Sequence, residues 1–373
     1  MNAADARIAV AFGGPSPEHD VSILTGLQAV RELAGRGRDV TALYWSKTGS
    51  WHRVPADLEA EDFVQGLPRS AEPLRLAVGE DGGFTASGGR LGRARPLAVD
   101  VVLVACHGAP GEDGTLQGAL DLAGIAYTGP DVAGAALGMD KLAFAGVAAA
   151  AGLPVLPRRL LLPGTTAVGF DGPYIVKPRF GGSSIGIDVV ADLGTAVARL
   201  AANPHLRRGA VLEPYRTDLF DLNVAVRTWP EPAVSAVERP LRTAAGGEIL
   251  GYLDKYVGGQ GMASAPRELP ANLDAAVTER VRSLAGAVAE LCGVRGVARV
   301  DFLCDGGAVW VNEINTVPGS LARYLWVDPP VAFGDLLDAM VAEALARPTG
   351  RHSATGADGT VLRGAGTIAA KLA

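Results

Sequence analysis

The stretch AVDVVLVACHG, Ala98–Gly108, limits the architecture most, because it is almost wholly apolar and ends on a glycine-bearing turn. A strand apolar on both faces is buried on both faces, as in a parallel sheet covered by helices. RIAVAFGG, Arg7–Gly14, has the same character. It is followed by DVSILTGLQAVRELAGRG, where Ile23, Leu24, Leu27, Val30 and Leu33 recur at helical spacing and Gly35 and Gly37 act as stops. DVTALYW supplies the next strand. Strand, glycine turn, helix and strand predict a doubly wound α/β unit through about residue 139.

The remaining chain alternates differently. Ser50–Pro96 is polar, glycine-rich and weakly periodic, and reads as a variable excursion of the first unit. DKLAFAGVAAAAGLPV is a helix stopped by Gly152 and Pro154. PYIVKPRFGGSSIGIDVV reads as strand, loop and strand, and VLEPYRTDLFDLNVAVRTW as strand, turn and strand. A helix is expected from Ala275 to Cys292, then a hairpin in RVDFLCDGGAVWVNEINT and a last helix in VAFGDLLDAMVAEALA. The tail after Pro348 is small-residue and polar, and is expected to be loosely held.

The chain of 373 residues has a net charge of −6 and an isoelectric point near 5.5, which argues against nucleic acid as the main partner. Cys106, Cys292 and Cys304 form no CxxC pair and read as reduced thiols. No basic-then-apolar leader and no apolar run of membrane-spanning length is present, so a soluble, cytoplasmic protein is expected. Only five of the 34 basic residues are lysine, at 47, 141, 177, 255 and 371. Where arginine serves so freely, a retained lysine is a candidate for work that needs a compact ammonium.

Five stretches carry chemistry. In the expected hairpin, alternation puts Arg299 with Asp301, and Glu313 with Asn315, on one face. Carboxylate and amide oxygens are hard donors suited to Mg²⁺ bridging to phosphates, although RxD and ExN by themselves are commonly a salt-bridged surface. In KPRFGGSSIG, Lys177 is a point charge for phosphate, Gly181 and Gly182 let backbone approach an anion, and Ser183 and Ser184 add hydroxyl donors. This is neither GxxxxGK[ST] nor GxGxxG, and a plain hairpin turn is its commoner explanation. In FGGPSPEHDVS, Ser16 and Pro17 suit a helix start, with Glu18 in the first turn, either answering the helix dipole or holding an amino group at the sheet's carboxyl edge. His107 in CHGAPGEDG sits at the same edge, and YLDKY lies in a long glycine-flanked loop with the composition of a lid.

Taken together, FGGPSPEHDVS, HGAPGEDGTLQGALDLAGIAYTG, ALGMDK, IVKPRFGGSSIG, DKY and RVDF…NEINTVPG resemble the D-alanine–D-alanine ligase family of the ATP-grasp superfamily, from Ile8 to about Gly319. The resemblance implies an ATP-grasp fold: an N-terminal doubly wound α/β domain (1–139), then a central domain (140–217) and a C-terminal domain (218–373), both α+β, that sandwich ATP. It implies ATP-dependent joining of two D-alanines through an acylphosphate, for peptidoglycan precursors, by a homodimer that uses two Mg²⁺ ions, with Mn²⁺ as a substitute. Lys141, Lys177 and Ser184 would meet ATP phosphates, with Lys255 reaching the γ-phosphate. Glu213 would read adenine and Asp221 the ribose. Asp301, Glu313 and Asn315 would hold the metals. Arg299 and the Gly319 amide would form the oxyanion hole, and Glu18, Ser183 and Tyr256 would link in lid closure, with His107 lining the substrate pocket.

Three features depart from the family pattern, the mildest being Asp20 in place of the family's more usual glutamate. Pro214 stands where the family often has lysine. After NTVPG the chain reads SLARYLWVDPP, where the family clamps the acceptor carboxylate with a serine and the next backbone amide. Alignment puts either Tyr324 and Leu325 or Ser320 and Leu321 there. An acceptor other than D-alanine, such as D-lactate, D-serine or a specialised amino acid, is the alternative reading. A nucleotide-binding protein without catalysis is a third.

Overall fold

In the first sheet the strands run in the order Arg95–Pro96, Gly83–Ala86, Glu72–Ala77, Trp51–Val54, Val40–Trp45, Ile8–Gly13, Val101–Val104 and Ala126–Tyr127. The computed structural model describes residues 3–86, 94–241, 266–349 and 353–372. Ile8–Gly13 pairs in parallel with Val40–Trp45 on one side and Val101–Val104 on the other, and both central strands are buried along their length. The helix His19–Gly35 packs on this sheet through Ile23, Leu27, Val30 and Leu33. It sits so close that a Cβ at Gly26 would run into the Phe12 side chain.

Two details differ from expectation. The helix starts at His19 with Glu18 as its N-cap, two residues later than Ser16–Pro17 suggested, because the Ser16 side chain accepts from the Glu18 amide at 3.1 Å in a separate turn. Leu24 is 40% exposed although its spacing put it on the apolar face. The stretch 50–96 adds antiparallel strands to the sheet, contributing Trp51, Phe63, Leu74 and Phe84 to its core. Trp45 and Trp51 stack with centroids 4.8 Å apart.

The second sheet is antiparallel, ordered Asp188–Val190, Tyr174–Pro178, Ala210–Pro214 and Arg159–Leu161. The helix Leu193–Ala202, capped by Asp192, packs on it through Ala196. The third sheet is ordered Ala233–Val234, Phe220–Arg227, Val297–Cys304 and Val309–Asn315. The helix Ala275–Leu291 covers it with Val277, Val281, Leu284 and Val288. The strands on either side of the turn at Tyr215–Leu219 therefore belong to different sheets.

The chain then returns to its beginning. The helix Phe333–Ala346 places Leu336, Leu337, Met340, Val341 and Ala344 in the same core as Val101–Val104. The tail carries the short helices Thr360–Arg363 and Ile368–Leu372, neither with a buried residue. Among the described residues no helix is long and apolar enough to cross a membrane, and the three cysteines are buried and free.

Candidate active site

The hairpin Val297–Cys304 and Val309–Asn315 sets Arg299 opposite Asn315 and Asp301 opposite Glu313. Facing residues on neighbouring strands put their side chains within reach of each other. Arg299 grips Asp301 with both arms of its guanidinium, at 2.6 and 2.7 Å, and the Asn315 amide donates to the same carboxylate at 3.0 Å. A register shift beyond Asp301 leaves Asn312 as an extra residue between Val311 and Glu313. Such a bulge re-aims side chains. Here it keeps Val309, Val311 and Ile314 in the core while Asn312 and Glu313 face polar partners.

Those partners come from the second sheet and the helix Lys141–Ala150. Lys141 bonds Glu313 at 2.6 Å and the Gly181 carbonyl at 2.9 Å, so it ties the Gly/Ser loop to the hairpin. Asp140 caps that helix through the amides of Leu142 and Ala143 and pairs with Arg179. Lys177 donates to Glu213 at 2.8 Å and lies 3.4 Å from Asn312 Oδ1. Glu213 is almost completely buried. Burial alone would raise its carboxyl, but Arg158 and Lys177 outweigh that and hold it below the ordinary value. Arg158 Nε stands 2.7 Å from Glu213 Oε1, pairing charge without an aligned hydrogen bond. Asp221, also expected at the nucleotide, is half-buried on Phe220–Arg227, opposite Leu303.

On the first sheet's side, Ser22 accepts from the Gly13 amide and donates to the Ala105 carbonyl, both at 2.7 Å, which locks the two strand ends to the helix. Glu18 then stands beside the Gly/Ser loop and accepts from the Ser183 hydroxyl. Ser183 and Ser184 both have left-handed φ, at 53° and 57°, a conformation that side-chain-bearing residues adopt at a cost. Lys255 and Tyr256 lie outside the described residues.

His107 and Glu112 stitch the loop after the strand Val101–Val104 to the turn after the hairpin. His107 Nδ1 is 2.7 Å from the Val317 carbonyl and Nε2 is 2.7 Å from Thr25 Oγ1, which in turn accepts from the Ser320 amide at 3.0 Å. A carbonyl can only accept, so Nδ1 carries the proton. Burial, with Arg299 nearby, lowers the imidazole to about 4, so Nε2 accepts from Thr25. Glu112 accepts from the amides of Val317 and Gly108 at 2.8 and 3.1 Å. Burial, reinforced by Glu18, raises its carboxyl to about 7. The turn Gly319–Leu325 that these bonds hold has left-handed backbone at Ser320, Leu321 and Ala322.

The structure thus brings Glu18 to Ser183, Lys141 to Glu313, Lys177 to Glu213, and Arg299 and Asn315 to Asp301. Sequence reasoning missed Arg158, Asn312, Thr25, Glu112, Asn223, Glu238 and Arg267. Glu238 accepts from Asn223 at 3.1 Å and pairs with Arg267 at 2.8 Å, and Asn223 lies opposite Asp301. Thr25 carried a usable signal, because a hydroxyl on a buried helix face needs a partner. Arg158 in PRRL carried none. Among the described residues no three His, Cys, Asp or Glu side chains cluster as a metal site. Asp301, Glu313 and the Asn315 amide oxygen nonetheless suit Mg²⁺, which takes few protein oxygens and keeps waters or phosphates for the rest.

Sequence models of the D-ala D-ala ligase N-terminus and C-terminus match residues 7–130 and 162–342. The chain is 36% identical to D-alanine--D-alanine ligase A of Bradyrhizobium diazoefficiens, over 93% of this chain and 97% of that protein. It is 35% identical to the D-alanine--D-alanine ligase of Mycobacterium tuberculosis, over 93% of this chain and 97% of the relative. Among solved structures, the VanG D-Ala:D-Ser ligase of Enterococcus faecalis superposes with a TM-score of 0.74 at 25% identity, covering 91% of this chain and 99% of that one. The D-alanine-D-alanine ligase of Coxiella burnetii gives 0.74 at 24% identity, covering 92% and 95%, a likeness of fold. With both halves of the family pattern matched in order, and relatives of this identity along nearly its whole length, the chain belongs to the D-ala D-ala ligase family.

Proposed function

We propose that the protein is an ATP-dependent D-alanine–D-alanine ligase serving peptidoglycan precursor synthesis. The observation that carries this reading is the face where Arg299, Asp301, Glu313 and Asn315 meet Lys141, next to the Ser183–Glu18 contact. It gathers cations, hard oxygen donors and a carboxylate for an amino group at one place. The domain division 1–139, 140–217 and 218–373 belongs to the same reading.

Lys141, Lys177, Ser184 and, outside the described residues, Lys255 orient the phosphates of ATP. Glu213 and Asp221 receive adenine and ribose. Asp301, Glu313 and Asn315 would hold two Mg²⁺ ions, replaceable by Mn²⁺, which would supply positive charge to the transferring phosphoryl. Glu18 binds the ammonium of the first D-alanine, and His107 lines the substrate pocket. The carboxylate of that D-alanine takes the γ-phosphoryl, and ADP leaves with the electrons of the broken phosphorus–oxygen bond. The amine of the second D-alanine attacks the activated carbonyl, phosphate departs, and the amine proton is released. Arg299 and the Gly319 amide stabilise the oxyanion that exists only between those two events. Closure by Ser183 and Tyr256 over Glu18 keeps water from the acylphosphate. The enzyme works in the cytoplasm, as a homodimer.

A different acceptor is the second reading. It is favoured by SLARYLWVDPP and by the likeness to a D-Ala:D-Ser ligase. In that case Ser320 and Leu321, or Tyr324 and Leu325, contact an acceptor other than D-alanine. The acylphosphate step is tested with D-alanine carrying ¹⁸O in its carboxylate. One labelled oxygen should appear in the released phosphate, and unlabelled phosphate would overturn the mechanism.

A further inference from the structure

Arg158 stands where three elements meet. Its Nη1 donates to the Lys141 carbonyl at 2.6 Å, at the start of the helix Lys141–Ala150. Its Nη2 donates to the Asn312 carbonyl at 3.2 Å, on the strand Val309–Asn315. Its Nε lies 2.7 Å from Glu213 Oε1. The pairing of Arg159–Leu161 with Ala210–Pro214, which sets Leu212 opposite Arg159, brings Arg158 alongside Glu213. Both side chains are withdrawn from water, with 5% of Arg158 and 1% of Glu213 exposed.

Three cations face the Glu213 carboxylate: Arg158, Lys177 and Lys141. Burial pulls its carboxyl up, and Arg158, then Lys177, more than offset that pull. Lys141 is committed to Glu313 at 2.6 Å. Lys177 holds the second oxygen of Glu213 at 2.8 Å. An ammonium shared with a phosphate no longer neutralises that carboxylate, because one positive charge then faces two anions. A buried carboxylate left without a cation is strongly unfavourable and takes up a proton instead. Pro214 supplies no charge at this edge of the sheet, where the family often has lysine. The guanidinium of Arg158 supplies it from the neighbouring segment.

We propose that Arg158 is a positioning residue for the nucleotide: it keeps Glu213 paired when Lys177 gives its charge to a phosphate of ATP. Its two carbonyl bonds also fix the helix that carries Lys141 against the strand that carries Glu313. The inference rests on the reading of Lys177 as a phosphate ligand and deepens it.

The test is calorimetric titration with MgATP, without D-alanine, from pH 6 to 8 and in two buffers of different ionisation heat. Arg158→Met should weaken MgATP on the order of tenfold or more at pH 8. It should also bind MgATP with uptake of a proton, on Glu213, beyond any uptake by wild type, so the loss should narrow towards pH 6. Arg158→Lys keeps the charge and should show no extra uptake. A merely loosened site would lose affinity equally at every pH and without the proton. Glu213→Gln removes the carboxylate that needs the cation, so adding Arg158→Met to it should change affinity only a few-fold. That comparison carries the test if Arg158→Met alone does not fold. A pH-independent loss in Arg158→Met without proton uptake, no loss at all, or a full tenfold loss in the Gln background overturns the role of Arg158 alone. A wild type that binds no MgATP overturns this role and the nucleotide reading together.

Discussion

His107 donates from Nδ1 to the carbonyl of Val317 across 2.7 Å, joining residues 210 positions apart in the chain. Through Thr25 the same imidazole reaches the amide of Ser320, so one side chain holds the chain on both sides of Gly319. Glu112 doubles the link through the Val317 amide.

These two buried groups should leave opposite marks on stability. The folded-state value of His107 is lowered from 6.5 to about 4, so its contribution is complete above about 6.5 and is lost as pH falls towards 4. That of Glu112 is raised from 4.5 to about 7, so its contribution is complete below 4.5 and is lost as pH rises through 7. Each amounts to about 3 kcal/mol, at roughly 1.4 kcal/mol per pH unit. Thermal unfolding at several pH values checks this. The stability difference between wild type and His107→Gln should shrink on going from pH 7 to 4, and that between wild type and Glu112→Gln on going from pH 4.5 to 7.5. Parallel pH curves for wild type and each variant would contradict the assignment.

Glu313→Gln should weaken the response to Mg²⁺, because a carboxylate donor becomes an amide and the pairing with Lys141 is lost. Metal charge stabilises phosphoryl transfer by several kcal/mol, so turnover at fixed Mg²⁺ should fall on the order of a hundredfold or more. Raising Mg²⁺ should recover part of it. A Mg²⁺ titration that overlays wild type would remove Glu313 from the metal set.

Arg299→Ala should lose turnover on the order of 10²–10³-fold while ATP affinity changes only a few-fold, because the charge it stabilises appears after phosphoryl transfer. Steady-state kinetics and nucleotide titration on the same preparation give both numbers. Equal losses in the two would refute the oxyanion role.

Arg158→Met tests a residue that the sequence did not advertise. It removes one of two cations from a buried carboxylate, and breaking such a pair costs about 3 kcal/mol. Calorimetry should show a melting temperature lower by several degrees, with the loss reduced at acid pH, where Glu213 can protonate. An unchanged melting temperature would mean that Lys177 alone suffices.

What was legible in the sequence follows from periodicity and turn chemistry. The parallel strands at Ile8–Gly13 and Val101–Val104 announced themselves by unbroken apolar runs, and the pairing of Arg299 and Asp301 with Asn315 and Glu313 by alternation. The bulge at Asn312 was not legible, because it breaks the alternation that would have located it. The strands within 50–96 were missed because they are short, are largely buried only at Trp51–Val54, and take their order from the succession of pairings that starts at Val40–Trp45. Arg158 and Glu238 carry no local pattern at all, and only the folded sheets bring them to Glu213 and Arg267.

The most direct test of the account is ADP and dipeptide formation with ATP, Mg²⁺ and D-alanine as the sole amino acid. The account predicts D-alanyl-D-alanine and ADP in equal amounts, with no ADP when D-alanine is omitted. No dipeptide from D-alanine alone, with turnover appearing only when a second acceptor is supplied, would contradict it.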